Sequence, residues 1–311
     1  MKKIILMALL FVSNFAYAQD KLVIASSNRG NFDTTFSEFA KTNGFLDKCG
    51  VNIEHYWTSS GTESLQTVLA GSADISLSVA YPTAIGVFQK GGAVRVIGSS
   101  FIGNDAFWYV KESSNIRQVK DLVGKKVAYG NTSSHAELTT KSFRKNSGVG
   151  FEGVATGGNM ATNFTLVMTN QVDAGLSVPP TLVDKIFSKE IRVIAFAKDY
   201  AQERNEATTR VIAVNADSIT KKRKHIECWM RGVSEAIDYF YKDHSAVEKY
   251  AKLVNFSVDS VKYSKEVFSR SQFDMFSLKG VEQSTKDGIE IKVITTPLTQ
   301  EQFNEFYIKV R

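Results

Sequence analysis

"GGAVRVIGSSFIGNDAFWYVKESSNIRQVKDLVGKKVAYGNTSSHAELTTKSF", residues 91–143, changes pattern three times within one short stretch. Residues 94–101, 106–111 and 125–130 are apolar runs rich in β-branched and aromatic residues, which predicts strands. "AELTTKSFRKN" (136–146) then switches to helical composition. Between the last strand and that helix stands "YGNTSSHAE" (129–137), where Ser133, Ser134 and His135 lie side by side and Glu137 follows two places on. In sheets built from alternating strands and helices, ligands bind where a strand's carboxyl end turns into a helix. This loop is therefore the first place to look for chemistry.

The same alternation extends in both directions. Strand-like runs fall at "KLVIASS" (21–27), "VNIEHYW" (51–57), "ADISLSV" (73–79), "VDAGLSV" (172–178), "IRVIAFA" (191–197) and "TTRVIAVN" (208–215). Helical runs separate them; one is "TESLQTVLAG", with apolar Leu65, Val68 and Leu69 and a stop at Gly71. Strand alternating with helix predicts an α/β architecture with largely parallel sheets. Residues 218–268 are mostly helical instead. There Ile226, Trp229, Met230, Val233, Ala236, Ile237 and Phe240 recur at helical spacing, a stripe that reads as a core-facing helix face in preference to a cofactor box.

Composition narrows the function classes. The chain has 311 residues, 43% hydrophobic and 23% charged, enough for two domains of ordinary size. Its first twenty residues, "MKKIILMALLFVSNFAYAQD", show a charged start, a short apolar run and Ala16-Tyr17-Ala18, the pattern of a signal peptide cut after Ala18. Export to the periplasm is the expectation. Loss of Lys2 and Lys3 lowers the formal net charge of +6 by two, a weak basicity that does not point to nucleic acid. "KKRKH" (221–225) reads as the solvated start of a helix. Cys49 and Cys228 permit one disulfide in an oxidising compartment, or are two small buried hydrophobes; only geometry decides. His55, His135, His225 and His244 are scattered, with no metal-ligand spacing, and no phosphate or dinucleotide loop is present, so no metal and no cofactor are expected.

The loops after the strands share one chemistry. "SSNRGNFDTTF" (26–36), "WTSSGTES" (57–64), "VAYPTAI" (79–85), "YGNTSSHAE" and "SVPPTLV" (177–183) are rich in Ser, Thr, Asn and Gly. Helix starts of this kind offer free N–H groups, hydroxyls and a positive dipole end to an anion. In the opening loop Thr132, Ser133, Ser134 and His135 can donate to such a ligand. A serine nucleophile with a histidine base is the weaker reading, because adjacent residues at a helix start point apart. A bare cap, Ser134 to Glu137, is the plainest. Ser59 and Gly61 can approach a ligand or form a simple turn. Tyr81 and Pro82 can wall an organic group or sit in an exposed turn. Arg29 can clamp an acid or pair with Asp33. Asn159, Ser177 and Pro179 are the candidates of the second half, while Asp74 and Asp173, in matching "AD" and "VDA" turns, read as structural.

Order and spacing of these pieces resemble a known family. "NGFLDKCGVNIEHYWTSSGTESLQTVLAGSADISLSVAYPTAI", the 91–143 stretch with its "DLVGKKVA", and "LVMTNQVDAGLSVPP" are similar to segments of the substrate-binding proteins of ABC importers, in the nitrate, sulfonate, taurine and thiamine-precursor (NMT1/THI5-like) group. Cys49 and Asn170 depart from that pattern, at positions not assigned to a ligand. The resemblance implies a two-lobe periplasmic-binding-protein type II fold, each lobe a mixed, mostly parallel sheet flanked by helices. Residues 20–107 and 212–311 would form one lobe and 108–211 the other. It implies a monomer that closes on a small anionic organic or aromatic ligand and delivers it to a membrane permease. An enzyme on the same fold and a ligand sensor for a membrane receptor are the alternatives.

Overall fold

The computed structural model describes residues 21–310, so the expected signal peptide lies outside the described residues. Two five-stranded sheets organise the chain. The first has the order β2-β1-β3-β10-β4, with β1 Lys21–Ser27, β2 Asn52–Thr58, β3 Ile75–Ala80, β4 Val94–Ile102 and β10 Thr208–Asn215. The second has the order β7-β6-β8-β5-β9, with β5 Phe107–Lys111, β6 Lys126–Gly130, β7 Glu152–Ala155, β8 Ala174–Ser177 and β9 Ile191–Phe196. The nine strand-like runs of the sequence all appear. The tenth strand, β7, is mostly exposed and carries a glycine, which leaves it little pattern to read.

Both sheets are mixed, as expected, but parallel pairs do not outnumber antiparallel ones. β1 runs parallel to β2 and β3, and β6 parallel to β7 and β8. β10 runs against β3 and β4, and β5 against β8 and β9. The reason is connectivity. The chain leaves the first sheet after Ile102, enters the second at Phe107, and returns between Phe196 and Thr208, so each sheet receives its antiparallel strand from the other. Asp74 and Asp173 hold equivalent corners of the two sheets. Asp74 accepts from the Val23 N–H of β1 at 2.9 Å, and Asp173 from the Lys126 N–H of β6 at 2.8 Å.

Helices cover the faces: α1 Phe32–Thr42, α2 Gly61–Leu69, α3 Tyr81–Gln89, α4 His135–Ser147 and α5 Met160–Met168 each follow a strand. The helical last third adds a further layer on the first sheet. All seven stripe residues from Ile226 to Phe240 are buried there, on the helix Arg223–Lys242, so the stripe is core. Phe32, Phe36, Phe240 and Tyr250 meet edge to face within this core. Trp229 donates its indole N–H to Ser37 at 2.8 Å, so burying it leaves no orphaned donor. In the second sheet Trp108 stacks on Phe143 at 3.9 Å between ring centres. "KKRKH" is largely solvated, although Lys222 turns back to pair with Asp74 at 2.8 Å. Cys49 and Cys228 are joined in a disulfide, which ties a short turn after α1 to the helix Arg223–Lys242.

One partly buried group makes the fold sensitive to acid. His55 on β2 sits 2.8 Å from the Ser37 hydroxyl. Burial first, then the charges of Lys41 and Arg29, lowers its pKa to about 4. The unfolded chain, with an ordinary imidazole near 6.5, then binds more protons than the folded one as the pH drops between those values. Stability should be full above about pH 6.5 and fall by roughly 3 kcal/mol towards pH 4. Urea unfolding of the wild type and His55→Gln at both pH values checks this. Equal acid sensitivity in the two would show that His55 is not the cause.

Candidate functional site

The carboxyl ends of β1, β2, β3, β6 and β8, with the loop after β7, face one cleft of about 660 Å³, its opening to solvent included. From the first sheet come Ser27, Asn28 and Asn31 after β1, Ser59 to Thr62 after β2, and Ser78 and Ala80 at the end of β3. From the second come Tyr129, Gly130 and Asn131 after β6, with Ser134, His135 and Ala136, then Gly158, Asn159, Met160 and Asn163 after β7, and Leu176 and Val178 around β8. Ala106 and Arg210 complete the wall.

Five helices begin at this cleft. Their N-cap residues, Asn31 of α1, Ser60 of α2, Ala80 of α3, Ser134 of α4 and Asn159 of α5, all line it. Ser60 accepts from the Glu63 N–H, Ser134 from the Glu137 N–H, and Asn159 from the Ala161 and Thr162 N–H groups. Each helix start still carries free N–H groups and the positive end of its dipole. Backbone in the left-handed region clusters at the same place, at Asn28 (φ 51°), Ser78 (φ 62°) and Ser133 (φ 54°), the kind of strain that gathers at ligand clamps. Gly61 has a definite reason to be glycine: a Cβ there would lie 2.2 Å from the Ser78 carbonyl oxygen.

Below the cleft runs a buried charged network. Arg210 of β10 donates Nη1 to Asp105 at 3.1 Å and Nη2 to the other oxygen of the same carboxylate. Its Nε lies 2.9 Å from Asp33 of α1, as an ion pair off the hydrogen-bond direction. The side chains of Arg210, Asp33 and Asp105 are 6%, 3% and 2% exposed, so all three charges are cut off from water. Burial pushes the Asp33 carboxyl up, opposed by Arg210 and aided by Asp105. Asp105 also stands 3.8 Å from Nε2 of His135, which itself lies 3.2 Å from the Thr139 hydroxyl. Burial, then the charges of Arg210 and Arg204, holds His135 well below the ordinary imidazole value, so the ring is neutral at neutral pH.

Of the residues predicted from sequence, Ser59, Gly61, Ser134, His135 and Asn159 line the cleft. Thr132 is exposed outside it. Ser133 is next to it, with its carbonyl accepting from Thr62 at 3.3 Å and Thr83 at 2.7 Å. Arg29 is bonded to Glu38 through Nε and Nη2, both at 2.8 Å, and not to Asp33, whose partner is Arg210. Tyr81 is 1% exposed, in the core near Phe306, because the chain turns inward as soon as Ala80 has capped α3; Pro82 is buried beside it. Ser177 is fully buried and donates to the Thr181 carbonyl at 3.1 Å, and Pro179 shapes the turn through a cis bond to Pro180; Leu176 and Val178 line the cleft in their place.

The nucleophile reading of the opening loop finds no pair to act. The Ser134 hydroxyl donates to the Asn131 carbonyl at 2.6 Å and caps α4, while the His135 ring is turned to Thr139 and Asp105. The acid of the expected cap reaches one residue further back than the usual box, where Glu137 accepts from the Ser133 N–H at 2.6 Å. Arg210 is the main residue that sequence reading passed over. Its signal was there: one cation inside the otherwise uncharged strand "TTRVIAVN".

The sequence profile of the family described as NMT1/THI5 like matches residues 31–246. No curated protein sequence matches the chain. Several solved structures share its fold. The periplasmic aliphatic sulphonate binding protein SsuA from Escherichia coli is 17% identical, with a TM-score of 0.68 and 91% of each chain covered. The alkanesulfonate-binding protein SsuA from Xanthomonas axonopodis pv. citri, bound to MOPS, is 15% identical, with a TM-score of 0.68 over 87% of this chain and 90% of that one. The periplasmic nitrate-binding protein NrtA from Synechocystis PCC 6803 is 13% identical, with a TM-score of 0.69 over 93% and 86%. At these identities the likeness is one of fold.

Proposed function

Because the chain belongs to the NMT1/THI5-like family, we propose that it is the exported solute-binding component of an ABC importer. It captures a small organic anion in the cleft, closes on it and delivers it to a membrane permease without changing it. The observation that carries this reading is the convergence of five helix N-termini, from both sheets, on one cleft. Such ends hold oxyanions through backbone donors and dipoles. The comparisons agree in kind, since the neighbours' names refer to sulfonates and nitrate. An organic anion is favoured over a bare inorganic one by the apolar part of the wall, chiefly Met160, Leu176 and Val178.

The two sheets would be the two lobes, with the hinge in the segments 103–106 and 201–207. Hydrogen bonds already cross the cleft mouth: Thr62 and Thr83 to the Ser133 carbonyl, and Thr181 to Asn31 at 3.0 Å. A ligand bridging both walls adds contacts that only the closed form makes, which is what shifts a hinge equilibrium. On this reading the mature protein is periplasmic, cut after Ala18, and acts as a monomer.

The test is a thermal-shift panel on refolded, ligand-stripped mature protein, with alkanesulfonates, taurine, aromatic carboxylates, thiamine precursors and nitrate. A ligand at 100 times its Kd should add about 2.7 kcal/mol, a shift of several degrees in a chain of this size. Ser60→Ala and Ser134→Ala should each weaken the hit. A folded protein that responds to no anion in the panel would refute the anion-capture reading.

A further inference from the structure

We infer that the cleft accepts a headgroup with a single negative charge and turns away a doubly charged headgroup of the same shape. The inference rests on the anion-capture reading and deepens it. It comes from the placement of charge and not from the shape of the cavity. Among the described residues lining the cleft, Arg210 is the one with a cationic side chain. Its charge is already engaged: Asp105 takes one N–H from each terminal nitrogen, and Asp33 stands 2.9 Å from Nε. One guanidinium between two buried carboxylates leaves no positive charge for a ligand.

The surrounding groups supply none either. His135 is neutral for the reasons given above. Arg204, the next buried cation, is paired with Asp287 at 2.7 Å. Further along α4 Lys141 is paired with Glu137 at 2.9 Å, and on α2 Glu63 is bonded to Ser59 at 2.8 Å and 2.6 Å. What attracts an anion is therefore the set of helix starts and neutral donors around the cleft, led by Ser60, Asn28 and Asn131, with Ser134 holding the start of α4 in place. Each helix end acts as about half a charge. The five ends come to about two and a half charges, and the Arg210, Asp33 and Asp105 cluster, with one cation against two carboxylates, offsets about one of them. That balances one ligand charge dispersed over several hydrogen bonds, whereas a second in the same low-dielectric space meets Asp33 and Asp105 with too little left to offset it.

Matched ligands separate charge from shape. n-Butyl sulfate keeps one negative charge throughout, whereas n-butyl phosphate gains its second near pH 6. Isothermal titration calorimetry of both against the mature protein, from about pH 5 to pH 8, gives the ratio of their Kd values. Proton equilibria of the protein itself cancel in that ratio. The ratio should be near its floor at the acid end and rise about tenfold per pH unit above pH 6, to about 100-fold at pH 8. A flat ratio with both ligands bound would overturn the charge rule and leave the anion-capture reading standing. No binding of either ligand at any pH would overturn both. Asp105→Asn adds a second arm, because it removes one of the two buried negative charges that a second ligand charge would meet. In that variant the ratio at pH 8 should drop at least about tenfold; an unchanged ratio in folded variant would overturn the assignment to this network. If Asp105→Asn does not fold, the wild-type ratio decides alone.

Discussion

Arg210→Ala should destabilise the protein by about 3–5 kcal/mol, the usual cost of breaking a buried ion pair from one side. In a chain of this length that is a fall in Tm of roughly 10 °C. The cost arises from what is left behind. Asp33 and Asp105 are almost wholly buried, and without the guanidinium both stand uncompensated in a space that water does not reach. The hydrogen bonds to Asp105 also hold β10 against the segment that leads into β5, so the damage should appear where the two sheets join. Urea unfolding of Arg210→Ala measures the loss. In an Asp33→Asn, Asp105→Asn background, Arg210→Ala should cost much less, because no carboxylate is then stranded. An equal cost in both backgrounds would mean that Arg210 acts by packing, for instance through its stacking on Phe101 at 4.6 Å.

Removing the Cys49–Cys228 disulfide is expected to cost about as much. The bond spans 179 residues, and the chain-entropy estimate for closing a loop of that length is about 5 kcal/mol. The effect lies in the unfolded state, which gains freedom when the link is cut. The expected result is a lower urea midpoint for the Cys49→Ser, Cys228→Ser variant. Reductant should bring the wild type down to meet it and leave the variant unmoved. A midpoint unchanged by either treatment would refute the estimate.

Much of the architecture was legible because apolar runs and helix starts are local signals. "KLVIASS" and "IRVIAFA" can scarcely be anything but strands, and the stripe from Ile226 to Phe240 shows its buried face through spacing alone. Strand direction was less legible: parallel and antiparallel neighbours use the same residues, and only the return of the chain from the second sheet sets β10 against β3. In the cleft, loop chemistry pointed to Ser59, Gly61, Ser134, His135 and Asn159. It misplaced Tyr81 and Ser177 because a one-residue step at a strand end sends a side chain to the opposite face. Arg29 and Arg210 show a different limit. Each is a cation near serines and acids, and partner choice decides their roles: Glu38 is nine residues along for Arg29, whereas Asp33 and Asp105 come to Arg210 from elsewhere in the chain.

The disulfide also fixes how the molecule carries mechanical tension. Nine of the ten strands, β2 to β10, fall within the ring that it closes, together with every helix start at the cleft except that of α1. Tension applied to the two chain ends runs through β1, α1, the sulfur–sulfur bond and the C-terminal helices, and bypasses the ring. About 600 Å of contour length, 179 residues at roughly 3.4 Å each, stays out of the line of pull. A backbone cut anywhere inside the ring likewise leaves a single covalent molecule. In the oxidised protein every part of the cleft wall except the Ser27–Asn31 segment is shielded both from traction and from separation by a single nick.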